Sequence, residues 1–119
     1  MTAKPTVGAA LRPETIHDFY GFPPELYRLE YPTTGDPELA NKTANLIRNG
    51  GLPCEIDHKR GLDHGAWVPM MLMFPEIEVP VLQLSIQQHM DPEEHLILGK
   101  VIESLRHEGV LIIGSGGAV

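Results

Sequence analysis

Residues 79–117 read VPVLQLSIQQHMDPEEHLILGKVIESLRHEGVLIIGSGG, and this stretch decides the fold. Val79 to Ile86 is an apolar run whose β-branched residues and leucines suit a central parallel strand covered on both faces, with Pro80 at its start. Asp91-Pro92-Glu93-Glu94 then opens a helix, with an acceptor side chain at the N-cap, proline at the first helical position and glutamate at the third. Leu96, Ile97, Val101, Ile102 and Leu105 form its apolar stripe, and Gly109 ends it. Val110 to Ile113 reads as a last strand running into Gly114-Ser115-Gly116-Gly117. Strand, helix and strand in this order call for a parallel α/β sheet.

The pattern continues toward the N-terminus. Thr6 to Leu11 reads as a strand that turns at Arg12-Pro13-Glu14, followed by an irregular aromatic segment from Thr15 to Phe22 and a short helix over residues 24–30. Asp36-Pro37-Glu38 starts a longer helix, in which Leu39, Ala40, Thr43, Ala44, Leu46 and Ile47 recur at helical spacing. Gly50 and Gly51 stop it as left-handed residues. Leu52 to Asp57 is a strand, and a polar loop to Gly65 holds Asp57, His58, Asp63 and His64. Ala66 to Phe74 is apolar enough for a buried helix of about two turns, with Pro69 in its first turn. The expected architecture is therefore α/β, a mostly parallel sheet with flanking helices. Its last strand would need cover that the 119 residues do not supply, so residues 1–119 are expected to be a single, partial domain, a piece of a larger α/β unit.

Length and charge exclude several function classes. A chain of 119 residues makes one domain, and 16 acidic against 9 basic side chains leave a formal net charge of -7. Such a chain lacks the positive field that phosphate backbones need, so no nucleic-acid partner is expected. Cys54 is the single cysteine and has no partner for a disulfide. The first fourteen residues hold two prolines and no apolar signal core, and the longest apolar runs fall short of the roughly 20 residues of a membrane span. The expectation is a soluble, cytoplasmic protein with no membrane partner. Twelve glycines and eleven prolines imply short elements and shaped loops.

Six histidines invite a site. His64 stands between Asp63 and Gly65 and is followed by Trp67. A carboxylate beside an imidazole favours its charged form, glycine admits a close ligand, and the indole can wall an aromatic pocket. The plainer alternative makes Asp63 a helix cap and His64 a surface residue. His17-Asp18, among Phe19, Tyr20 and Phe22, is either a pocket edge or a packed turn, and His58 lies in a solvated charged stretch. His89, His95 and His107 belong to or adjoin the last helix and decorate its face. No metal-ligand spacing links the six. Gly114 to Gly117 could cradle an anion, but without the lysine and helix of a phosphate loop. Met70, Met71 and Met73 read as core filler.

Four segments in order carry a family resemblance: Thr15-Ile16-His17-Asp18-Phe19-Tyr20-Gly21-Phe22-Pro23 with Glu25-Leu26-Tyr27; Leu62-Asp63-His64-Gly65-Ala66-Trp67; Val79-Pro80-Val81-Leu82-Gln83-Leu84-Ser85; and Glu108-Gly109-Val110 to Gly117. Together they resemble the class III extradiol ring-cleavage dioxygenases, in particular the DOPA 4,5-dioxygenase-like branch. The resemblance implies opening of a catechol-type ring beside its two hydroxyls by dioxygen, with a non-haem ferrous ion, or zinc, as cofactor. It places His64 as the catalytic acid/base or oxygen-positioning residue, and His17, Asp63 and Trp67 around the substrate. It also places the family's metal histidines before Thr2 and beyond Val119. No residue of this chain is therefore assigned as a metal ligand, and the chain alone is expected to be inactive. A second reading is a non-catalytic binding or subunit protein that keeps the aromatic pocket and completes its sheet with a partner chain or as a homo-oligomer.

Overall fold

The computed structural model describes residues 4–85 and 91–115. Its sheet is two short parallel strands, β1 (Thr6–Gly8) and β2 (Glu55–Asp57), in the register Thr6 to Glu55, Val7 to Ile56 and Gly8 to Asp57. Between them runs helix α1 (Pro37–Asn49), the crossover that a parallel pair requires. The Asp36 side chain accepts from the Leu39 amide at 3.0 Å and Pro37 sits in the first turn, so the local sequence sets where α1 starts. At its other end Gly51, not Gly50, takes the left-handed backbone, with φ 91°.

Two later helices follow, α2 (His64–Met73) and α3 (Pro92–Ile102), the last continuing as a 3₁₀ turn over Glu103–Glu108 that Gly109 closes at φ 79°. Residues Pro24–Arg28 form a 3₁₀ turn where a short helix is expected. The described part is thus α/β, a short parallel pair with flanking helices, as the element pattern requires.

Several finer expectations are corrected. The segment from Val79 is not a parallel strand: it meets β1 antiparallel, through a bridge between Leu84 and Val7, with Gly8 donating to the Gln83 carbonyl and Ser85 to that of Thr6. An apolar run says that a segment is buried but carries no sign of its direction, and Ile86 lies outside the described residues. Val110–Ile113 makes no ladder; Leu111 is 68% exposed, because no strand among the described residues lies alongside it. The apolar stripe of α3 is also shifted. Leu98 is buried and begins the series Leu98, Val101, Ile102, Leu105 that faces inward, whereas Leu96 is 69% exposed. Spacing of three, four and seven from Leu98 is the true helical face.

The described side chains gather into two cores. Val7, Ala9, Ala40, Ala44, Ile47, Cys54 and Leu98 make an aliphatic one between α1, α3 and the sheet. Tyr31, Leu62, Trp67 and Met70 make an aromatic one against α2, with Phe19, Met71, Phe74 and Val81 packed on it. Met70 and Met71 fill core as expected, while Met73 is exposed.

Candidate functional site

The site begins with a close backbone pass. Thr15 and Leu62 form a parallel bridge, with the Ile16 amide donating to the Leu62 carbonyl at 2.8 Å and the Leu62 amide to that of Glu14 at 2.7 Å. A Cβ on Gly61 would stand 2.2 Å from the Glu14 carbonyl oxygen, so this crossing requires glycine there. Its consequence is to lay His17-Asp18 beside Asp63-His64.

At that juxtaposition His64 is the first residue of α2, not part of the loop before it. Asp18 Oδ1 accepts from the His64 amide at 2.9 Å and from its Nδ1 at 2.8 Å. The carboxylate at the helix start therefore comes from a distant segment, which explains how α2 begins without a local cap. Asp63 occupies the N-cap position but its side chain makes no capping bond; it pairs with Arg60 at 3.4 Å, and its backbone amide donates to Gln83 Oε1. Partial burial raises the Asp18 carboxyl, but the amide and imidazole of His64, together with Asp18's own amide and the His64 charge, outweigh it. The net effect holds Asp18 below its ordinary 3.8. The pair stays open to water, with the His64 side chain 53% exposed.

Rings surround this pair. Phe19 meets His64 edge-on at 6.1 Å, and also Phe22, Tyr27 and Trp67 at 5.2, 4.9 and 6.1 Å. His17 packs T-shaped on Trp67 at 5.7 Å. Such offset and edge contacts suit the quadrupoles of the rings. Three polar groups of the inner layer are tied to backbone: His17 Nε2 donates to the Leu29 carbonyl at 2.7 Å, Trp67 Nε1 to Ile16 at 2.8 Å, and the Tyr31 hydroxyl to Phe74 at 2.8 Å. Trp67 is 2% exposed and forms the back of the cluster, behind His17 and Phe19. Pro69 falls in the second turn of α2, a correction to its expected place in the first.

A family model for the catalytic LigB subunit of aromatic ring-opening dioxygenase matches residues 1–119. The chain belongs to the LigB family. It is 51% identical over 118 residues to a 4,5-DOPA dioxygenase extradiol of Beta vulgaris, covering 98% of this chain and 44% of that protein. It is 38% identical over 114 residues to the 4,5-DOPA dioxygenase extradiol of Escherichia coli K12, covering 95% and 41%. The crystal structure of an uncharacterized protein from Escherichia coli K12 matches with a TM-score of 0.67 and 29% identity, over 89% of this chain and 38% of that one. This LigB-family chain thus spans less than half the length of these relatives.

LigB-family dioxygenases generally depend on a non-haem metal. Among the described residues no three His, Cys, Asp or Glu side chains are grouped as an ion requires, and His17 Nε2 is committed to a carbonyl. The described residues therefore do not compose a site for ferrous iron or zinc. His58 lies apart in an exposed turn, where the Lys59 and Arg60 amides hold the Asp57 carboxyl below its ordinary value. His95 Nδ1 bonds back to the Asp91 carbonyl, His107 is exposed, and His89 lies outside the described residues. Of the glycine turn, Gly114 and Ser115 are described; Ser115 Oγ lies 3.8 Å from where a Gly65 Cβ would stand, so this turn reaches the start of α2. What sequence reasoning missed is the pairing of Asp18, named only as part of a pocket edge or packed turn, with His64: Asp63, next in sequence to His64, draws attention from the carboxylate that reaches it through space.

Proposed function

We propose that this chain contributes His64 as acid/base residue, and His17, Asp63 and Trp67 as surroundings of the ring, to the catechol site of an extradiol ring-cleavage dioxygenase acting with dioxygen. One observation carries the reading: a half-exposed imidazole, held by a carboxylate, stands at the edge of an aromatic cluster, in a chain similar throughout to DOPA dioxygenases. A catechol presents a flat apolar ring and two adjacent hydroxyls. Its ring suits the Phe19 side of the cluster, and its hydroxyl proton suits an imidazole nitrogen at that edge. Trp67, fully covered, supports His17 and Phe19 from behind, and Asp63, held by Arg60, stands next to His64 at the start of α2.

Trp67 is the single tryptophan, so its emission reports on this cluster. Air-free titration with DOPA should give a saturable change in that emission, weakened in His64→Ala; a non-saturable response, equal in both proteins, would overturn the reading. Loaded anaerobically with excess ferrous iron and desalted, the 119-residue chain should keep well under one equivalent and yield no yellow ring-fission product from DOPA or protocatechuate. Stoichiometric iron lost on His17→Ala or His58→Ala would make those histidines ligands instead.

A further inference from the structure

We infer that Asp18 is the positioning residue of His64: it fixes the imidazole as its Nδ1–H tautomer and so reserves Nε2 for proton exchange with the substrate. The inference rests on the reading of His64 as acid/base residue and adds to it a partner 46 positions away in the chain.

The geometry leaves little choice of tautomer. A carboxylate accepts hydrogen bonds and does not donate them, so at 2.8 Å from Asp18 Oδ1 the proton of the contact belongs to His64 Nδ1. The same oxygen takes the His64 amide at 2.9 Å, which pins backbone and ring to one acceptor and sets the side-chain torsion as well as the proton. Which ring nitrogen carries the proton is set by the bond that the other makes. A free neutral imidazole prefers Nε2–H; Asp18 reverses that preference, leaving Nε2 with a lone pair. Nothing else described competes for Nδ1, because Asp63 turns its carboxylate to Arg60. Phe19 meets the ring edge-on at 6.1 Å. The contrast with His17 is instructive, since there Nε2 is the nitrogen spent on a carbonyl. Of the two imidazoles in the cluster, His64 is thus the one with Nε2 left for a ligand.

Long-range proton–nitrogen correlation spectra of the ¹⁵N-labelled chain at pH 8 test this, with the His64 signals assigned by their loss in His64→Gln. The expected result is a protonated Nδ1 and an unprotonated Nε2. In Asp18→Ala the major tautomer should invert to Nε2–H, while Asp18→Asn, which keeps an acceptor oxygen, should retain Nδ1–H. A wild-type His64 that is Nε2–H, or a tautomer unchanged in Asp18→Ala, would overturn the assignment. Should the alanine variant not fold, the wild-type and asparagine spectra still decide it. No catechol enters this experiment, so failure of the DOPA titration and failure of the tautomer assignment are separate results.

Discussion

The two cores of this chain are held by different means. The aliphatic one is closed by α1 and α3 against the sheet with small and branched side chains, and its helix starts are capped by the residue that precedes them, Asp36 for α1 and Asp91 for α3. The aromatic one is closed by loops, and rings are tied to carbonyls far away in sequence: Trp67 to Ile16, Tyr31 to Phe74, His17 to Leu29. Its helix, α2, starts at a carboxylate from another segment. One half is built from local signals plus area burial, the other from long-range polar tethers that also orient a potential acid/base group. Buried polar atoms must be paired, so the second half depends on its own register more sharply than the first.

The largest effect should come from the centre of the aromatic half. Trp67→Ala should cost about 3–5 kcal/mol of stability, read from urea unfolding by circular dichroism. Trp67→Phe, which retains a ring but leaves the Ile16 carbonyl without its donor, should cost about 1–3 kcal/mol. A negligible cost for the phenylalanine variant would show that the tethers are incidental and the two halves alike.

In the aliphatic half, Leu98→Ala should cost about 2–5 kcal/mol, while Leu96→Ala, two positions earlier and exposed, should stay within about 0.5 kcal/mol. Equal costs would place the stripe where Leu96 begins it.

Helix starts sharpen the contrast at a smaller scale. Asp36→Ala should lose about 1 kcal/mol, since the side chain caps α1 directly. Asp63→Ala should lose only about 0.5 kcal/mol, because the Asp63 side chain accepts no bond from the amides of α2.

The smallest effect is one of pH. Asp18 and Asp57 are both held below 3.8, Asp18 by the His64 amide and imidazole against burial, Asp57 by the Lys59 and Arg60 amides. A carboxyl depressed in the folded state stabilises it above the unfolded value and ceases to do so as pH falls through the folded one. The urea midpoints of wild type and Asp18→Asn should therefore differ at pH 7 and converge below pH 3.8. A gap that persists in acid would show that Asp18 acts through shape alone.

What the sequence determined by itself is what its local chemistry encodes. Asp36-Pro37 and Asp91-Pro92 announce helices because capping is satisfied within three residues, and Gly109 ends the last because it takes positive φ without strain. The parallel pair of β1 and β2 follows from the helix between them, and four ordered segments pointed to the LigB family. The tertiary structure alone decided direction and partnership. Val79 to Ser85 had the composition of a strand, but only contact with β1 made it antiparallel, since apolar side chains mark burial and not polarity. Leu98 took the place of Leu96 because the face of α3 is chosen by where α1 lies, as Val101 against Gly50 shows. His64 could be suspected from its neighbours, but its carboxylate could not: a side-chain hydrogen bond depends on distance in space, and Gly61 is what allows residues 15–18 and 61–64 to cross closely enough to make one.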